Sequence, residues 1–142
     1  MEKELVVKKS VIINAAPSKV WDAITNPDLT KKYMYNSEVV SDWTTGSSII
    51  WRDAGNKGVH VRGIIVGIQS EKYLETLDLS IDSGMADIES NYSRVRYELK
   101  KDNNKTLLYL TEKNFNGDKK RYEDADKFWT IVIKRMKELL EK

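Results

Sequence analysis

The apolar pattern near the C-terminus constrains the fold of this chain more than any other feature. With Ala125 set at zero and each residue advanced by ~100°, Tyr122, Ala125, Phe128, Trp129, Val132, Met136, Leu139 and Leu140 fall within an arc of roughly 120°. Ile131 lies outside the arc, Lys134, Lys137 and Glu138 mark the polar side, and Glu123 with Lys127 forms a favourable i,i+4 pair. Burying this stripe yields about 12 to 24 kcal/mol gross. Ordering the segment costs about 1 to 2 kcal/mol per residue for the backbone alone. The helix therefore needs a large apolar surface to lean on, and the rest of the chain can supply one only as the inner face of a sheet.

The signals for that sheet are spread along the sequence. Leu5 to Ile13 is β-branched at both ends and free of Gly and Pro, which favours a first strand. Pro17 suits the first position of a helix, where its missing N–H costs nothing. Val20, Trp21, Ala23 and Ile24 supply an apolar side, and Asn26-Pro27 ends the helix and starts a second one. Asp28 then sits where a carboxylate complements the helix dipole. Two short helices are thus expected over residues 17 to 34. Six further strands are read at Ser37 to Ser41, Ser48 to Asp53, Val59 to Ile68, Tyr73 to Ile81, Tyr92 to Lys100 and Thr106 to Glu112, separated by turn-forming clusters such as Gly55-Asn56-Lys57-Gly58. Val95, Tyr97 and Leu99 alternate with Arg94, Arg96 and Glu98, the pattern of an antiparallel sheet with one wet face. Gly63 and Gly67 inside a strand point to bulges and a strong curl.

Composition narrows the functions open to such a chain. At 142 residues it has room for one core, so residues 1–142 are read as one domain. Lys and Arg exceed Asp and Glu by 24 − 22 = 2, too little to build the positive face of a nucleic-acid binder. Cys is absent, which removes disulfides, thiolate metal sites and cysteine nucleophiles. His60 is the only histidine, so a multi-histidine metal site within one chain is excluded. No metal and no cofactor are expected. Met1-Glu2-Lys3-Glu4 leads into a short alternation unlike a signal peptide, and no apolar run approaches the ~18 residues of a membrane span, so a cytoplasmic location is expected.

The run Ile12-Ile13-Asn14-Ala15-Ala16-Pro17-Ser18-Lys19-Val20-Trp21-Asp22-Ala23-Ile24-Thr25-Asn26-Pro27 resembles the opening of START-like (SRPBCC) domains, in the branch related to the activator of the heat-shock-chaperone ATPase. Ser41-Asp42-Trp43-Thr44-Thr45-Gly46-Ser47 with Trp51 resembles the next hairpin of that branch, and Gly63, Leu74, Tyr97 to Leu99 and Trp129 extend the likeness over essentially the whole chain. Tyr33 stands near a place where the branch often has tryptophan. The resemblance implies an α+β helix-grip fold, a curved antiparallel sheet of about seven strands wrapped around the long C-terminal helix, with two short helices after the first strand. It also implies a cavity between sheet and helix that admits small hydrophobic molecules. Relatives include lipid carriers, hormone receptors, cyclases and chaperone cofactors of the stress response, so the fold alone does not select an activity.

Residue patterning then suggests the cavity wall. Inward strand parity and the apolar arc of the helix select Trp51, Ile64, Val66, Leu77, Tyr97, Phe128, Trp129 and Val132, with Tyr33, Met34 and Tyr35 as a gate where the second short helix meets the sheet. His60 has no evident partner in sequence and is read as structural or solvent-facing. Arg62, Arg94 and Arg96 are read as a solvated face paired with Glu75 or Glu98. Asp82 to Asp87 is read either as a loop able to cover a cavity mouth or as an ordinary connection. The expected role is binding a small hydrophobic or amphipathic molecule, such as a lipid, as carrier or sensor. The alternatives are docking on a chaperone or other protein, and cyclase-like or hydrolytic chemistry. Buried Asp, Glu or His in the cavity would favour the last of these.

Overall fold

The computed structural model describes residues 4–142; Met1 to Lys3, the start of the segment compared with a signal peptide, lie outside the described residues. The elements run β1 (Val6–Ile13), α1 (Pro17–Thr25), α2 (Pro27–Tyr33), β2 (Ser37–Ser41), β3 (Ser48–Asp53), β4 (Val59–Gln69), β5 (Tyr73–Ser80), β6 (Ser93–Asp102), β7 (Lys105–Lys113) and α3 (Lys119–Leu140), with a 3-10 turn at Glu89–Asn91. The strands form one antiparallel sheet in the order β1-β7-β6-β5-β4-β3-β2. Successive strands are therefore neighbours except β1, which crosses back through α1 and α2 to the far edge beside β7. This is the helix-grip arrangement.

Local chemistry sets the boundaries. Pro17 and Pro27 open the two short helices, and the Asn26 side chain accepts from the Asp28 N–H to cap the second. The Asp118 carboxylate caps α3 by accepting from the N–H groups of Lys120 and Arg121. At its other end, α3 is tied to β1: Lys137 Nζ donates to Ile12 O at 2.7 Å, and Glu141 Oε2 accepts from Asn14 N at 2.7 Å. The i,i+4 ion pairs along α3 and its C-terminal cap, among the described residues, are Lys119–Glu123, Lys120–Asp124 and Lys137–Glu141, and the expected Glu123–Lys127 pair is not among them.

Two irregularities curl the sheet. The register shifts between Trp51 and Arg52 in β3 and between Ile65 and Gly67 in β4. Trp129, Val132 and Met136 of α3 pack onto Val7, Val95, Tyr97, Leu99, Leu108 and Leu110 of the concave face. The convex face carries Arg94, 2.8 Å from Glu75, and Arg96, 3.6 Å from both Glu75 and Glu98, the cross-strand pairing read from sequence. Arg62 pairs instead with Asp87 of the β5–β6 connection.

Candidate functional site

Between α3 and the β2–β6 side of the sheet lies a cavity of about 760 Å³. One wall is aromatic. Tyr35 stacks on Phe128 with centroids 5.6 Å apart, Phe128 meets Trp129 edge-on at 5.1 Å, and Trp129 meets Tyr97 edge-on at 5.9 Å. Tyr35 and Asn36 both hold left-handed backbone, with φ of 50° and 60°. That uncommon conformation for a bulky residue turns the chain out of α2 and sets the half-exposed Tyr35 ring on the rim, under the Arg135 guanidinium at 4.7 Å.

The opposite wall is polar. Along β5 the inward parity is Leu74, Thr76, Asp78 and Ser80, all at the cavity. Ser93, opposite Asp78 in the ladder, donates to Glu112 Oε2 at 2.6 Å, and Trp129 Nε1 donates to Glu112 Oε1 at 2.7 Å. Both oxygens of this acid are thereby satisfied. Asp78 differs. The residue as a whole is half-buried, but its Oδ1 is sealed from solvent and has no hydrogen-bond partner among the described residues. Gly63 makes room for it, because a Cβ there would stand 2.5 Å from Asp78 Oδ1 and 2.2 Å from Leu77 O. Burial pushes the Asp78 carboxyl up to about 7; the Thr76 hydroxyl opposes the rise and the nearby Glu112 adds to it. Burial likewise pushes the Tyr97 hydroxyl up, with Tyr33, Asp78 and Glu112 contributing.

At the rim, His60 Nδ1 lies 2.6 Å from Asp82 Oδ2, and Ser83 and Met85 of the same connection also face the cavity. The connection is anchored further on, where Asp87 accepts from Tyr92 at 2.6 Å and pairs with Arg62. Asp53 sits below its ordinary range because the N–H of Asn56 holds it, helped by that of Gly55 and opposed by desolvation. Among the described residues, no three His, Asp or Glu side chains are grouped to hold a metal ion.

Of the side chains expected at the cavity, Tyr35, Trp51, Tyr97, Phe128 and Trp129 line it, as does Met34 of the expected gate. The others are placed elsewhere. Tyr33 is core, its hydroxyl donating to Ala23 O at 2.6 Å, and Val132 is fully buried on the sheet-facing side of α3. Ile64 and Leu77 face each other on the convex side, where Ile64 is 41% exposed, and Val66 is the extra residue of the β4 bulge. The sequence parity of β5 places Leu77 inward. The cavity reverses that choice by facing Thr76, Asp78 and Ser80. The pairing of Leu74 with Tyr97 and of Thr76 with Val95 is the signal that recovers it, since directly opposed residues share a face.

A curved antiparallel sheet gripping a C-terminal helix, with an aromatic and acidic cavity between them, defines a START-like (SRPBCC-type) helix-grip protein. The family described as Activator of Hsp90 ATPase homolog 1-like protein matches residues 14–141, and the chain belongs to it. Among solved structures it is similar to ChR145 from Cytophaga hutchinsonii, at 30% identity over 99% of this chain and 97% of that one, with a TM-score of 0.81. The Aha1 dimer from Colwellia psychrerythraea shares the fold at 20% identity, covering 96% of each chain with a TM-score of 0.76. An HSP90 activator from Plasmodium falciparum does so at 17% identity, again covering 96% of each chain with a TM-score of 0.76. No curated protein matches the sequence. No helix among the described residues is long and apolar enough to cross a membrane.

Proposed function

We propose that this protein binds a small amphipathic molecule in the cavity between the sheet and α3, as a carrier or sensor in the cytoplasm. The observation that carries the reading is the cavity itself. Its volume, about 760 Å³, suits a small organic molecule, and its walls pair an aromatic face with a few convergent polar groups. Tyr35, Trp51, Phe128 and Trp129 offer ring faces to an apolar body, while Thr76, Asp78 and Ser93 offer polar contacts that fix its orientation. Docking on a chaperone or other protein remains the alternative that family membership brings. Exposed apolar side chains such as Ile12, Ile64, Ile88 and Ile131 stand on separate elements, so the cavity supports the small-molecule reading more directly.

A second reading, acid–base chemistry on the bound molecule, draws on one observation. Burial pushes the Asp78 carboxyl up to about 7 inside a cavity it shares with Glu112, in the range a general acid or base needs.

Native mass spectrometry of protein purified gently from its source cells tests both. A stoichiometric adduct that leaves on denaturation is the expected result. A clean apo mass, under conditions that keep a known cavity binder attached, overturns the proposal. If chemistry occurs, the molecule recovered from the Asp78→Asn variant differs in mass from that recovered from the wild type.

A further inference from the structure

The carboxyl groups at the cavity are not equivalent. Asp53 accepts from two backbone N–H groups, Asp82 is paired with His60, Asp124 with Lys120, and Glu112 with Ser93 and Trp129. The Arg121 guanidinium, the one Arg or Lys head group on the wall among the described residues, is engaged by the carbonyls of Phe115 and Asn91. Asp78 alone is left with a sealed, unpartnered oxygen, and it stands on the floor of a cavity whose acids outnumber its bases. The missing partner is a donor, and the charge balance asks for a positive one.

The surroundings fit a cation attached to an apolar body. Asp78 and Glu112 lie on β5 and β7, two strands apart, with Ser93 and Val95 of β6 between them, Trp129 donating to Glu112, and Tyr97 further along β6 edge-on to Trp129. A group seated there meets carboxyl oxygens on its sides and ring faces close by, the setting in which an organic ammonium is held by ion pairing and cation–π attraction together. The last torsion of an aspartate is soft, so either oxygen of Asp78 can turn to the cavity. Tyr35 and Phe128 lie further along the aromatic wall, where the apolar remainder would extend.

The geometry points to a small organic amine with an aromatic or aliphatic body as the ligand class, its ammonium bound at Asp78 beside Glu112. This assignment rests on the cavity-binding reading above and deepens it.

Isothermal titration calorimetry with three probes of matched shape tests it on the full chain near neutral pH: 2-(1-naphthyl)ethylamine, 2-(1-naphthyl)ethanol and 1-naphthylacetate. The amine is expected to bind about ten-fold or more tightly than either of the others, a margin that one desolvated charge contact readily supplies. Asp78→Asn is expected to erase most of that margin while leaving the alcohol within about two-fold. Equal or tighter binding of the alcohol or the acid, or an amine affinity unmoved by Asp78→Asn, overturns the amine assignment and leaves the cavity reading standing. Binding of none of the probes also overturns the amine assignment, and the adduct sought by native mass spectrometry then decides the cavity reading separately. The three-probe comparison on the wild type needs no variant, so a poorly folded Asp78→Asn cannot hide the outcome.

Discussion

Asp78 couples the cavity to the stability of the whole chain. Its folded pKa of about 7 lies above the ~3.9 of an unfolded aspartate. Between these values the folded chain keeps a proton that the unfolded chain releases. The stability associated with this group is therefore fully present below pH ~4 and is lost as pH rises through ~7, by at most about 4 kcal/mol. Asp78→Asn removes that dependence, so urea denaturation from about pH 4 to pH 8 should show the variant gaining on the wild type as pH rises. A constant difference across that range would contradict the assignment. Trp129 makes a second prediction at this scale. It is buried, packs edge-on against both Tyr97 and Phe128, and donates to Glu112. Trp129→Ala should cost about 3 to 5 kcal/mol. Trp129→Phe keeps most of the apolar area but strips a donor from a partly buried carboxyl, at about 1 to 3 kcal/mol. Chemical denaturation of the two variants separates the packing contribution from the hydrogen bond.

At the scale of elements, the close approach of β4 to β5 rests on Gly63. A methyl group there would meet the Leu77 carbonyl, a backbone atom that cannot swing aside. Gly63→Ala should therefore force the strands apart and lower stability by about 1 to 3 kcal/mol, measured as a drop in denaturation midpoint. How legible each element was in the sequence follows from the same packing logic. The long helix and the inward face of β6 were readable because burial there selects apolar side chains: Trp129, Val132 and Met136 on one, Val95, Tyr97 and Leu99 on the other. The ends of β2 and β3 were readable as well, since turn residues bracket them. In β5 the hydrophobic rule pointed the wrong way. A strand that faces a cavity is free to direct Thr76, Asp78 and Ser80 inward, because nothing apolar closes over them. The bulge at Ile65/Gly67 broke the parity of β4 in a manner that its glycines signalled in kind but not in position. The presence of both Asp78 and Glu112 at the cavity was invisible for a related reason, since the two residues lie far apart in sequence and reach one cavity only through the β5-β6-β7 order.

For the whole molecule, the question is whether the space between sheet and helix serves binding or is only a packing defect. Ala125 sits on the cavity side of α3, where its small side chain helps to keep that space open. A large ring at this position can enter the cavity without displacing core, because the neighbouring buried positions, Trp129 and Val132, lie further along the helix. Ala125→Trp should therefore fold with stability close to that of the wild type, while losing affinity for any cavity ligand. Binding to the folded state alone stabilises it by about 2.7 kcal/mol when free ligand stands at 100-fold its dissociation constant. For a chain of this size, that corresponds to a rise in Tm of roughly 5 to 10 °C. Thermal scans with and without the naphthyl amine should show such a rise for the wild type at saturating concentration and little or none for Ala125→Trp. Equal shifts in both would mean that the amine binds outside the cavity, and a marked loss of stability in unliganded Ala125→Trp would mean that the space is closed by packing in solution.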